Sequence, residues 1–419
     1  MTNHELHRQL SLVDWDFIER ASLDISAIHW YPGSFAPGLP GVLVDLLSAP
    51  GETVFDPFCG IGSTAVASIL RGRNSVSCDI SPVGVMSGLA TTGLISLLLS
   101  NQTLFEQVFD DLHAMIEEIH TPNVLLRHST RSGEAVDEHL IRFGGSSVDN
   151  VFARLFKPIA IESLRKWYHP LTLMDLQRLI EQLEAASFSR FCKIVGFTMI
   201  SAIARNTSSE TRSWGHVADN VRPSEYTYKD VAKSALLWIQ RTKKQISGVR
   251  GSLSRMPSGQ TFDFSIVDWT DEQPNFIKTP ATLLLTSPPY GGAIDYGLAQ
   301  RLTMYLMGTS EDDLARMVGA EIGARRKRSR PTHIEVWAKE LVGAAGAQLK
   351  WVTSDGYAVF VMPHKDHGRD AGELMLKAVL AAKGWELAFS ADRSVRQSRT
   401  RQSWTSIKKE TILVFRGGK

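Results

Sequence analysis

The sequence contains 419 residues, of which 43% are hydrophobic, and its formal net charge is only +2. That content is enough for one large hydrophobic core or two smaller ones. The global charge neither favours nor excludes nucleic acid as a partner, so local basic clusters must decide. The longest apolar stretch, near residues 94–99, is too short to span a bilayer, and the polar residues near the start predict no signal peptide.

Three cysteines are spread along the chain, at Cys59, Cys78 and Cys192. Their spacing fits neither a metal site nor a disulfide framework, so the sequence predicts a reducing, cytoplasmic environment, no membrane and no bound metal. We expect these cysteines to be small packing residues and not nucleophiles.

Residues 1–24 are predicted to form a short amphipathic lead, and a proline-rich turn with aromatic residues precedes a helix over residues 42–47. A glycine-rich loop follows, in which residues 52–64 read Glu-Thr-Val-Phe-Asp-Pro-Phe-Cys-Gly-Ile-Gly-Ser-Thr. Its first part predicts a short buried strand, and Gly60 and Gly62 allow the backbone to turn tightly beside a ligand. The pattern is typical of a doubly wound α/β sheet with its ligand crevice at the strand's carboxyl end, although alone it also fits an ordinary strand–turn–helix corner.

The loop carries an acid where a dinucleotide-binding loop would gain nothing from one. Asp56 would repel a pyrophosphate but attract a cationic ligand, and S-adenosylmethionine carries both an ammonium and a sulfonium. A second acid, Asp79, ends the next predicted strand, residues 75–78, where it could accept hydrogen bonds from ribose hydroxyls.

Two helices are predicted to follow these strands. Ser63 and Thr64 can cap the helix over residues 65–71, and Ser81 and Pro82 suit the N-cap and first turn of the next helix. The sequence therefore begins with two strand–helix units.

Residues 99–250 break this alternation. Apolar residues at spacings of three and four over residues 176–203 predict helices there. Residues 204–214 read as a polar, hydroxyl-rich loop, from which Asn206 and Arg212 could reach bases in a DNA groove. A solvated surface loop is the alternative for this stretch.

The strand–helix pattern resumes with a predicted strand over residues 262–267, which ends at Asp268 and Trp269. An apolar strand over residues 282–285 is followed directly by Thr286-Ser287-Pro288-Pro289-Tyr290. The prolines lack backbone N–H groups, so we expect a stiff turn whose unpartnered carbonyls can accept an amino group. Its tyrosine offers a flat face for stacking, although alone the turn also fits a proline strand stop with a core tyrosine.

Two basic clusters lie in the second half of the sequence. The first follows the Pro-Pro turn, where contact with phosphates is predicted and a solvated face is the alternative; it comprises Arg325, Arg326, Lys327, Arg328 and Arg330. The second interleaves basic residues with an aromatic, which indicates another nucleic-acid rim; it comprises Arg393, Arg396, Arg399, Arg401 and Trp404.

Seven strands are predicted in all, with approximate starts at residues 53, 75, 262, 282, 357, 386 and 411. Helices are predicted between the later strands, over residues 298–306, 334–349 and 373–382. The sequence thus predicts an α/β fold in which a helical segment interrupts the sheet-forming parts of the chain.

Together, the two motifs resemble those of the amino-methylating, S-adenosylmethionine-dependent DNA methyltransferases. The cofactor loop of that family reads Asp-Pro-Phe-x-Gly-x-Gly, and its catalytic tetrapeptide reads Asp, Asn or Ser, then Pro-Pro, then Tyr or Phe. Both are intact in this sequence, at residues 56–62 and 287–290. The resemblance covers residues 25–98 and 256–416 and implies a seven-stranded Rossmann-like methyltransferase sheet, S-adenosylmethionine as cofactor and DNA as partner.

The resemblance also implies the domain boundaries. Residues 1–98 would form the first half of the methyltransferase domain, with the cofactor loop, and residues 256–419 the second half, with the tetrapeptide. Residues 99–255 would be a helical insert in the place of a target-recognition domain.

The resemblance assigns roles to residues as well. In that family an acid after the third strand holds the adenine amino group, and Asp268 matches it; Phe35 and Pro37 match the segment that packs against the methionine end. The implied cofactor contacts are Phe35, Pro37, Asp56, Pro57, Phe58, Cys59, Gly60, Gly62, Ser63, Thr64, Asp79, Ile80, Asp268 and Trp269. The implied catalytic residues are Ser287, Pro288, Pro289 and Tyr290.

The implied reaction moves a methyl group to the exocyclic amine of a base flipped out of the duplex. The amine lone pair is delocalised into the ring, so Ser287 and the Pro288 carbonyl would accept its N–H bonds and favour tetrahedral geometry, while Tyr290 stacks on the base. In the family, serine at position 287 is typical of cytosine-N4 enzymes and aspartate of adenine-N6 enzymes. We therefore expect cytosine N4 and keep adenine N6 as the alternative.

Two other functions compete with this one. RNA guanine-N2 methyltransferases share the motif order, but usually carry aspartate at position 287 and an RNA-binding domain before the sheet, where this sequence has only the residues before 52. A non-enzymatic DNA-binding subunit would need damaged motifs. The sequence leaves open the recognition site, the oligomeric state, and whether a cognate restriction or defence enzyme accompanies the protein.

Overall fold

The computed structural model describes residues 3–17, 28–32, 35–36, 38–118, 130–210, 223–250, 259–270, 280–324, 327, 329–364, 370–395 and 408–418. Several predicted site residues lie outside these ranges: Pro37, Arg212, Arg325, Arg326, Arg328, Arg396, Arg399, Arg401 and Trp404. Their contacts with cofactor or DNA therefore stay predictions.

A seven-stranded sheet forms the centre of the protein, and its strands confirm the predicted set. They are β1 (Thr53–Asp56), β2 (Asn74–Asp79), β3 (Phe262–Ile266), β4 (Ala281–Thr286), β5 (Val352–Pro363), β6 (Trp385–Ser394) and β7 (Lys409–Gly417). The order across the sheet is β3-β2-β1-β4-β5-β7-β6, with β7 antiparallel to both neighbours and the other pairs parallel. This is the mostly parallel, Rossmann-like methyltransferase sheet that the sequence predicts.

The order of the strands reverses between β1 and β4. Val54 of β1 pairs with Leu283 of β4 in parallel register, so the two strands end side by side, at Asp56 and Thr286. The glycine loop and the Pro-Pro turn therefore leave the sheet at one edge. In open α/β sheets, ligands bind beyond the carboxyl ends of the strands at such a reversal.

Strand β5 begins earlier than predicted, at Val352 instead of residue 357. Its pairing with β4 jumps from Val352 to Tyr357, so the residues between them form a bulge. Gly356 lies in this bulge, where a Cβ atom would come within 2.6 Å of the Thr282 carbonyl oxygen. The Ser-Asp-Gly sequence of the bulge is typical of a turn, which is why the sequence places the strand start too late.

The first helices are α1 (Asn3–Ser11), α2 (Leu39–Leu47), α3 (Ser63–Leu70) and α4 (Pro82–Ser100). The prediction that Ser63 or Thr64 caps α3 is wrong, because α3 already begins at Ser63 and Gly62 occupies the N-cap in a left-handed conformation, with φ 83°. No side chain caps this helix start.

Helix α4 begins as predicted, since the Ser81 hydroxyl accepts the Gly84 N–H at 3.2 Å and Pro82 opens the helix. By length and composition alone, α4 is long and apolar enough to cross a membrane. The sequence predicted only a shorter apolar stretch at residues 94–99, because glycine, serine and threonine interrupt the apolar residues of this helix. The most apolar window of α4 is 89% buried inside the protein, as in the core helix of a globular domain.

The described part of residues 99–255 is helical. Its helices are α5 (Gln102–Glu117), α6 (Thr130–Phe152), α7 (Ile161–Leu164), α8 (Pro170–Ala185), α9 (Arg190–Thr207) and α10 (Val231–Arg250). The loop predicted over residues 204–214 starts later than expected, because α9 continues to Thr207, whose hydroxyl donates to the Ile203 carbonyl at 2.9 Å. Asn206 is therefore an exposed residue of the last turn of α9 and not a loop residue.

These helices share an apolar core with the sheet. Leu94 of α4, Phe191 of α9, Ile239 of α10 and Phe264 of β3 belong to one continuous cluster of buried side chains. Helix α6 also covers the outer edge of β3, where the Ser147 hydroxyl accepts the Phe264 N–H at 2.8 Å. This contact occupies a backbone group that an edge strand would otherwise leave open to another strand.

The remaining helices are α11 (Tyr296–Ala299), α12 (Arg301–Leu306), α13 (Glu311–Ala320), α14 (His333–Gln348) and α15 (Asp370–Ala382). The single helix predicted over residues 298–306 is divided at Gln300, whose side-chain amide donates to the Trp30 carbonyl at 3.1 Å.

Alternate strand residues face two helical layers, as the period of a strand requires. Val54 and Leu283 pack in a cluster with α1 and α2, whereas Phe55 and Leu284 pack with α14 and α15. The central strands are thus covered on both faces, which leaves their carboxyl ends as the accessible part of the sheet.

Candidate active site

A cleft opens at the edge of the sheet where the strand order reverses. Its empty volume, counted with the solvent space at its open side, is about 740 Å³. Its lining residues are Tyr31, Pro32, Phe35, Phe58, Cys59, Gly60, Ile61, Ser63, Asp79, Ile80, Val267, Asp268, Trp269, Ser287, Pro289, Tyr296, Ala320, Glu321 and Ile322.

The glycine loop forms the floor of this cleft and is fixed by the end of β2. The Gly60 N–H donates to Asp79 Oδ2 at 2.8 Å, and Asp79 Oδ1 accepts the Ser81 N–H at 2.9 Å. Gly60 has a φ of +49°, and a Cβ atom there would lie 3.1 Å from the Tyr31 ring. Glycine is therefore required for both the backbone conformation and the close approach of Tyr31.

Asp56 lies behind the loop and is not among the lining residues. It is 1% exposed, and Oδ1 accepts the Thr286 hydroxyl at 2.7 Å and the Phe58 N–H at 3.2 Å. Burial raises the pKa of Asp56 to about 7. The sequence predicted that Asp56 faces a cationic ligand, whereas the structure places its side chain behind the loop, away from the cleft. Because β1 is covered on both faces, its last side chain is buried, and it ties the loop to β4.

Three other carboxylates line the cleft, from Asp79, Asp268 and Glu321, and the described lining includes no lysine, arginine or histidine. Burial raises the pKa of Asp79 to about 6 and the pKa of Glu321 to about 8. In the described part of the chain, no group of three or more His, Cys, Asp or Glu side chains is placed to hold a metal ion. The charge of the cleft therefore suits an organic cation better than an anion such as a pyrophosphate.

One wall of the cleft follows β3. Trp269 donates its indole N–H to the Pro57 carbonyl at 2.9 Å, which holds the ring beside the glycine loop. Asp268 is half-buried, and its Oδ1 accepts the Thr270 N–H at 2.9 Å and the Thr270 hydroxyl at 2.7 Å. A carboxylate next to a fixed aromatic ring can receive a flat heterocycle that carries an amino group.

The tetrapeptide forms the opposite wall. Ser287 and Pro289 line the cleft, whereas Pro288 is buried and Tyr290 is half-buried outside the lining. The prediction of unpartnered carbonyls is wrong for Pro289, which accepts the indole N–H of Trp337 at 2.8 Å. Trp337 lies on α14 and is 1% exposed, so a buried ring holds the turn in place.

The Tyr290 hydroxyl does not project freely either. It lies 2.9 Å from Glu410 Oε1, 3.1 Å from Ser287 Oγ and 3.2 Å from the Val361 carbonyl oxygen. Glu410 in turn forms an ion pair with Arg393, and both side chains are largely buried. Arg393 was predicted at a nucleic-acid rim, but it is 6% exposed, because the antiparallel β6 and β7 bring it next to Glu410.

The predicted cofactor residues divide into two groups. Those that line the cleft are Phe35, Phe58, Cys59, Gly60, Ser63, Asp79, Ile80, Asp268 and Trp269. Those that are buried and do not line it are Asp56, Pro57, Gly62 and Thr64. Gly62 serves packing instead, since a Cβ atom there would lie 3.0 Å from the Gly88 Cα atom of α4.

Sequence reasoning missed a group of residues on the other side of the cleft. The rings of Tyr31 and Tyr296 stack with centroids 6.0 Å apart. Glu321, just after α13, accepts the Tyr296 N–H at 3.0 Å and the Gly297 N–H at 2.6 Å, and so fixes the start of α11. The aromatic, proline-rich turn before α2 was a signal for Tyr31. Glu321 gave no signal, because only the fold brings the end of α13 to the cleft.

Few of the predicted DNA contacts lie in the described residues. Arg330 and Asn206 are exposed. Lys327 donates to the Glu321 carbonyl at 2.9 Å and pairs with Glu340 at 3.3 Å, so its ammonium is occupied within the protein and not free for a phosphate. The charge run alone could not predict this pairing, because Glu340 approaches Lys327 only through the position of α14.

Comparison with known proteins agrees with this geometry. Residues 12–85, which include the glycine loop and Asp79, match a family model described as DNA methylase. The Type II methyltransferase M.MjaII of Methanocaldococcus jannaschii is 21% identical over 372 aligned residues, which cover 76% of this chain and 69% of the relative. Together with the reversal in strand order, and with the glycine loop and the tetrapeptide at one cleft, these matches support the amino-methylating DNA methyltransferase family for this chain.

Proposed function

We propose that this protein is an S-adenosylmethionine-dependent DNA methyltransferase that methylates the exocyclic amine of a flipped base, with cytosine N4 as the target. The observation that supports this most is that Ser287 lines the same cleft as the glycine loop and three carboxylates. A hydrogen-bond acceptor for an amine and a site for a cationic methyl donor therefore adjoin each other.

The residues of the cleft fit S-adenosylmethionine along its length. When bound, this cofactor would supply a methyl group activated by a sulfonium. Asp268 and Trp269 would hold the adenine, and Asp79 would accept the ribose hydroxyls. Glu321 and Tyr31 would meet the cationic end, where a carboxylate and an aromatic face both favour positive charge.

The tetrapeptide would act on the target amine. Ser287 Oγ and the Pro288 carbonyl would accept its N–H bonds and draw the lone pair out of conjugation with the ring. The amine nitrogen would then form its bond to the methyl carbon as the carbon–sulfur bond breaks, and one proton would leave the nitrogen afterwards. Positioning and electrostatics would supply the rate without a covalent enzyme intermediate.

Cytosine N4 is favoured over adenine N6 because position 287 is serine. The two bases present the same kind of exocyclic amine to the tetrapeptide. Adenine N6 is therefore the second candidate, and the product of the reaction distinguishes the two.

The helices of residues 99–255 would supply target recognition, and exposed Asn206 and Arg330 lie among the groups available to DNA. We assign the protein to the cytoplasm, where its three free cysteines, all buried, would stay reduced. Because its relative is named a Type II methyltransferase, we also propose a role in a restriction–modification system.

The test is incubation of the protein with tritiated S-adenosylmethionine and either duplex DNA or tRNA, followed by mass spectrometry of the nucleosides. We expect label in DNA as N4-methylcytosine, and slower incorporation of that label by Ser287→Ala, by roughly ten- to a hundred-fold, the effect of one hydrogen bond in the transition state. N6-methyladenine would correct the base, and label confined to tRNA guanine would overturn the proposal.

A further inference from the structure

A chain of hydrogen bonds runs from the cleft into the protein through the Tyr290 hydroxyl. Ser287 Oγ lies 3.1 Å from this hydroxyl, which lies 2.9 Å from Glu410 Oε1. The other Glu410 oxygen is paired with Arg393, and Arg393 Nε donates to the Trp15 carbonyl at 3.0 Å. We refer to Ser287, Tyr290, Glu410 and Arg393 as the relay.

The direction of each hydrogen bond in the relay follows from the number of protons available. Glu410 forms an ion pair with the Arg393 guanidinium, and the carboxylate of such a pair can only accept hydrogen bonds. Tyr290 has one hydroxyl proton, and a charged carboxylate at 2.9 Å is a stronger acceptor than the neutral Val361 carbonyl at 3.2 Å. Tyr290 therefore donates to Glu410, and its oxygen is left as an acceptor.

The hydroxyl of Ser287 is fixed by this arrangement. It lies within bonding distance of an oxygen whose own proton is committed elsewhere, so Ser287 donates its single proton to Tyr290. The lone pairs of Ser287 Oγ then remain for a group in the cleft. A free serine hydroxyl could either donate to a group in the cleft or accept from it. Ser287, whose proton is used by Tyr290, can only accept from such a group.

We propose that Glu410 and Arg393 are positioning residues that act through the Tyr290 hydroxyl to fix Ser287 as an acceptor for the N–H of the target amine. This inference rests on the proposed function, because an acceptor at Ser287 assists the reaction only if the substrate is an amine that donates an N–H bond. The relay gives serine the acceptor-only character that an ionised aspartate at the same position has by itself.

Tyr290→Phe and Glu410→Gln are the direct tests, measured as single-turnover methylation rates on duplex DNA. Tyr290→Phe keeps the ring but removes the relay. Glu410→Gln is expected to reverse the direction of the hydrogen bonds in the relay. Arg393 would attract the amide oxygen, and the amide N–H groups would then donate to the Tyr290 hydroxyl. We expect each variant to lower the rate roughly tenfold with unchanged cofactor affinity, the effect of one hydrogen bond in the transition state. Tyr357→Phe, on β5 outside the relay, is the matched control and should keep the wild-type rate.

A structural role for the tyrosine hydroxyl would lower the rate as well, so each variant is repeated in two further backgrounds. In Ser287→Ala there is no hydroxyl to orient, and in Ser287→Asp the carboxylate needs no orientation. In both backgrounds we expect Tyr290→Phe and Glu410→Gln to cost less than about twofold, a strong non-additivity with the wild-type background.

The outcomes separate the two proposals. A wild-type protein that forms no N-methylated cytosine or adenine contradicts the proposed function. A wild-type protein that forms one of them, together with a tenfold loss from Tyr290→Phe in every background, overturns the relay alone. Unchanged rates for both variants in the wild-type background overturn it as well.

Discussion

At the scale of single residues, the acids of the cleft differ in the pH at which they ionise. Burial raises the pKa of Asp79 to about 6 and that of Glu321 to about 8, so at pH 7 most of Asp79 is ionised and most of Glu321 is protonated. A cationic cofactor favours the ionised form of both, so binding at pH 7 should release protons mainly from Glu321. We expect calorimetry in buffers of different ionisation enthalpy to report less proton release for Glu321→Gln than for wild type.

Asp79→Asn is the control for this measurement and should change the proton release less, although it should weaken binding. Any titration of the cofactor itself is common to all three proteins and cancels. Without cofactor, the same raised pKa values make the stability of the fold depend on pH. Their contribution to stability is present below the unfolded pKa values of about 4 and is lost as pH rises through 6 to 8. Glu321→Gln should therefore gain stability relative to wild type between pH 5 and pH 9. Equal proton release by wild type and Glu321→Gln would mean that Glu321 does not face the cofactor's charge.

Alanine variants of two glycines with nearly the same backbone conformation distinguish the cost of backbone strain from the cost of overpacking. Gly62 has φ +83° and Gly51 has φ +85°, but only at Gly62 would a Cβ atom meet neighbours, Gly88 at 3.0 Å and Phe264 at 3.3 Å. Both alanine variants carry the left-handed cost of about 1–2 kcal/mol. Gly62→Ala should lose about 1–3 kcal/mol more through overpacking. Urea unfolding measures both, and equal losses would show that α3 and α4 can move apart at no cost.

At the scale of elements, helix α14 positions the Pro-Pro turn, through the hydrogen bond from Trp337 to the Pro289 carbonyl. Trp337→Phe keeps most of the buried ring but removes the donor to the partly buried Pro289 carbonyl, and loss of such a hydrogen bond costs about 0.5–1.5 kcal/mol. We expect the methylation rate to fall more than cofactor affinity. The control is Trp385→Phe, a buried tryptophan of the same apolar cluster that lies on β6. If both variants lower the rate equally, general loosening of the cluster and not the hydrogen bond explains the effect.

The predicted phosphate contacts of the basic run after α13 can be tested with Lys327 left unchanged, because its ammonium is paired within the protein. Changing Arg325, Arg326 and Arg328 to glutamine, with Lys327 kept, should weaken binding to all duplex sequences alike. The slope of log K against log salt should fall by about 0.9 for each phosphate that the variant no longer neutralises. Arg8→Gln, at an exposed arginine that is paired with Glu5 and lies outside the run, is the control for loss of a single charge and should leave the slope unchanged. A wild-type slope in the triple variant would make the run a solvated surface.

The elements that the sequence predicts well are those fixed by local pattern. Strands β1 and β4 are short apolar runs that end at a polar residue, Asp56 and Thr286, and Ser81 and Pro82 mark the start of α4 by their own chemistry. The positions of Asp56 and Glu321 could not be predicted in this way. Asp56 lies in the cofactor motif but is buried by strands on both sides, and Glu321 reaches the cleft only because α13 folds back over α11. Local sequence predicts the elements, whereas burial and partners depend on contacts between distant segments.

At the scale of the whole molecule, α4 joins the strands that carry the glycine loop to the helices of residues 99–255. Gly93 of α4 packs so closely on α9 that a Cβ atom would lie 2.4 Å from the Phe191 ring. Because one apolar cluster runs through α4, α9, α10 and β3, we expect the sheet and these helices to unfold in a single transition. S-adenosylmethionine, bound at the edge of the sheet, should then raise the melting temperature of the helices as well.

A pair of glycine variants tests this coupling. Gly93→Ala should lower the melting temperature recorded by far-UV circular dichroism and by tryptophan fluorescence to the same extent, since neither Phe191 nor the α4 backbone can yield without disturbing the shared core. Gly248→Ala, on α10 where a Cβ atom would meet nothing within 4 Å, should instead stabilise the protein by about 0.5–1 kcal/mol through helix propensity. If Gly93→Ala split the unfolding into two transitions, with only one of them shifted by the cofactor, the helices would be a separate folding unit. Under the proposal that these helices recognise the target, a core shared with the proposed cofactor cleft would make their stability depend on the bound cofactor, whereas a separate folding unit would not show this dependence.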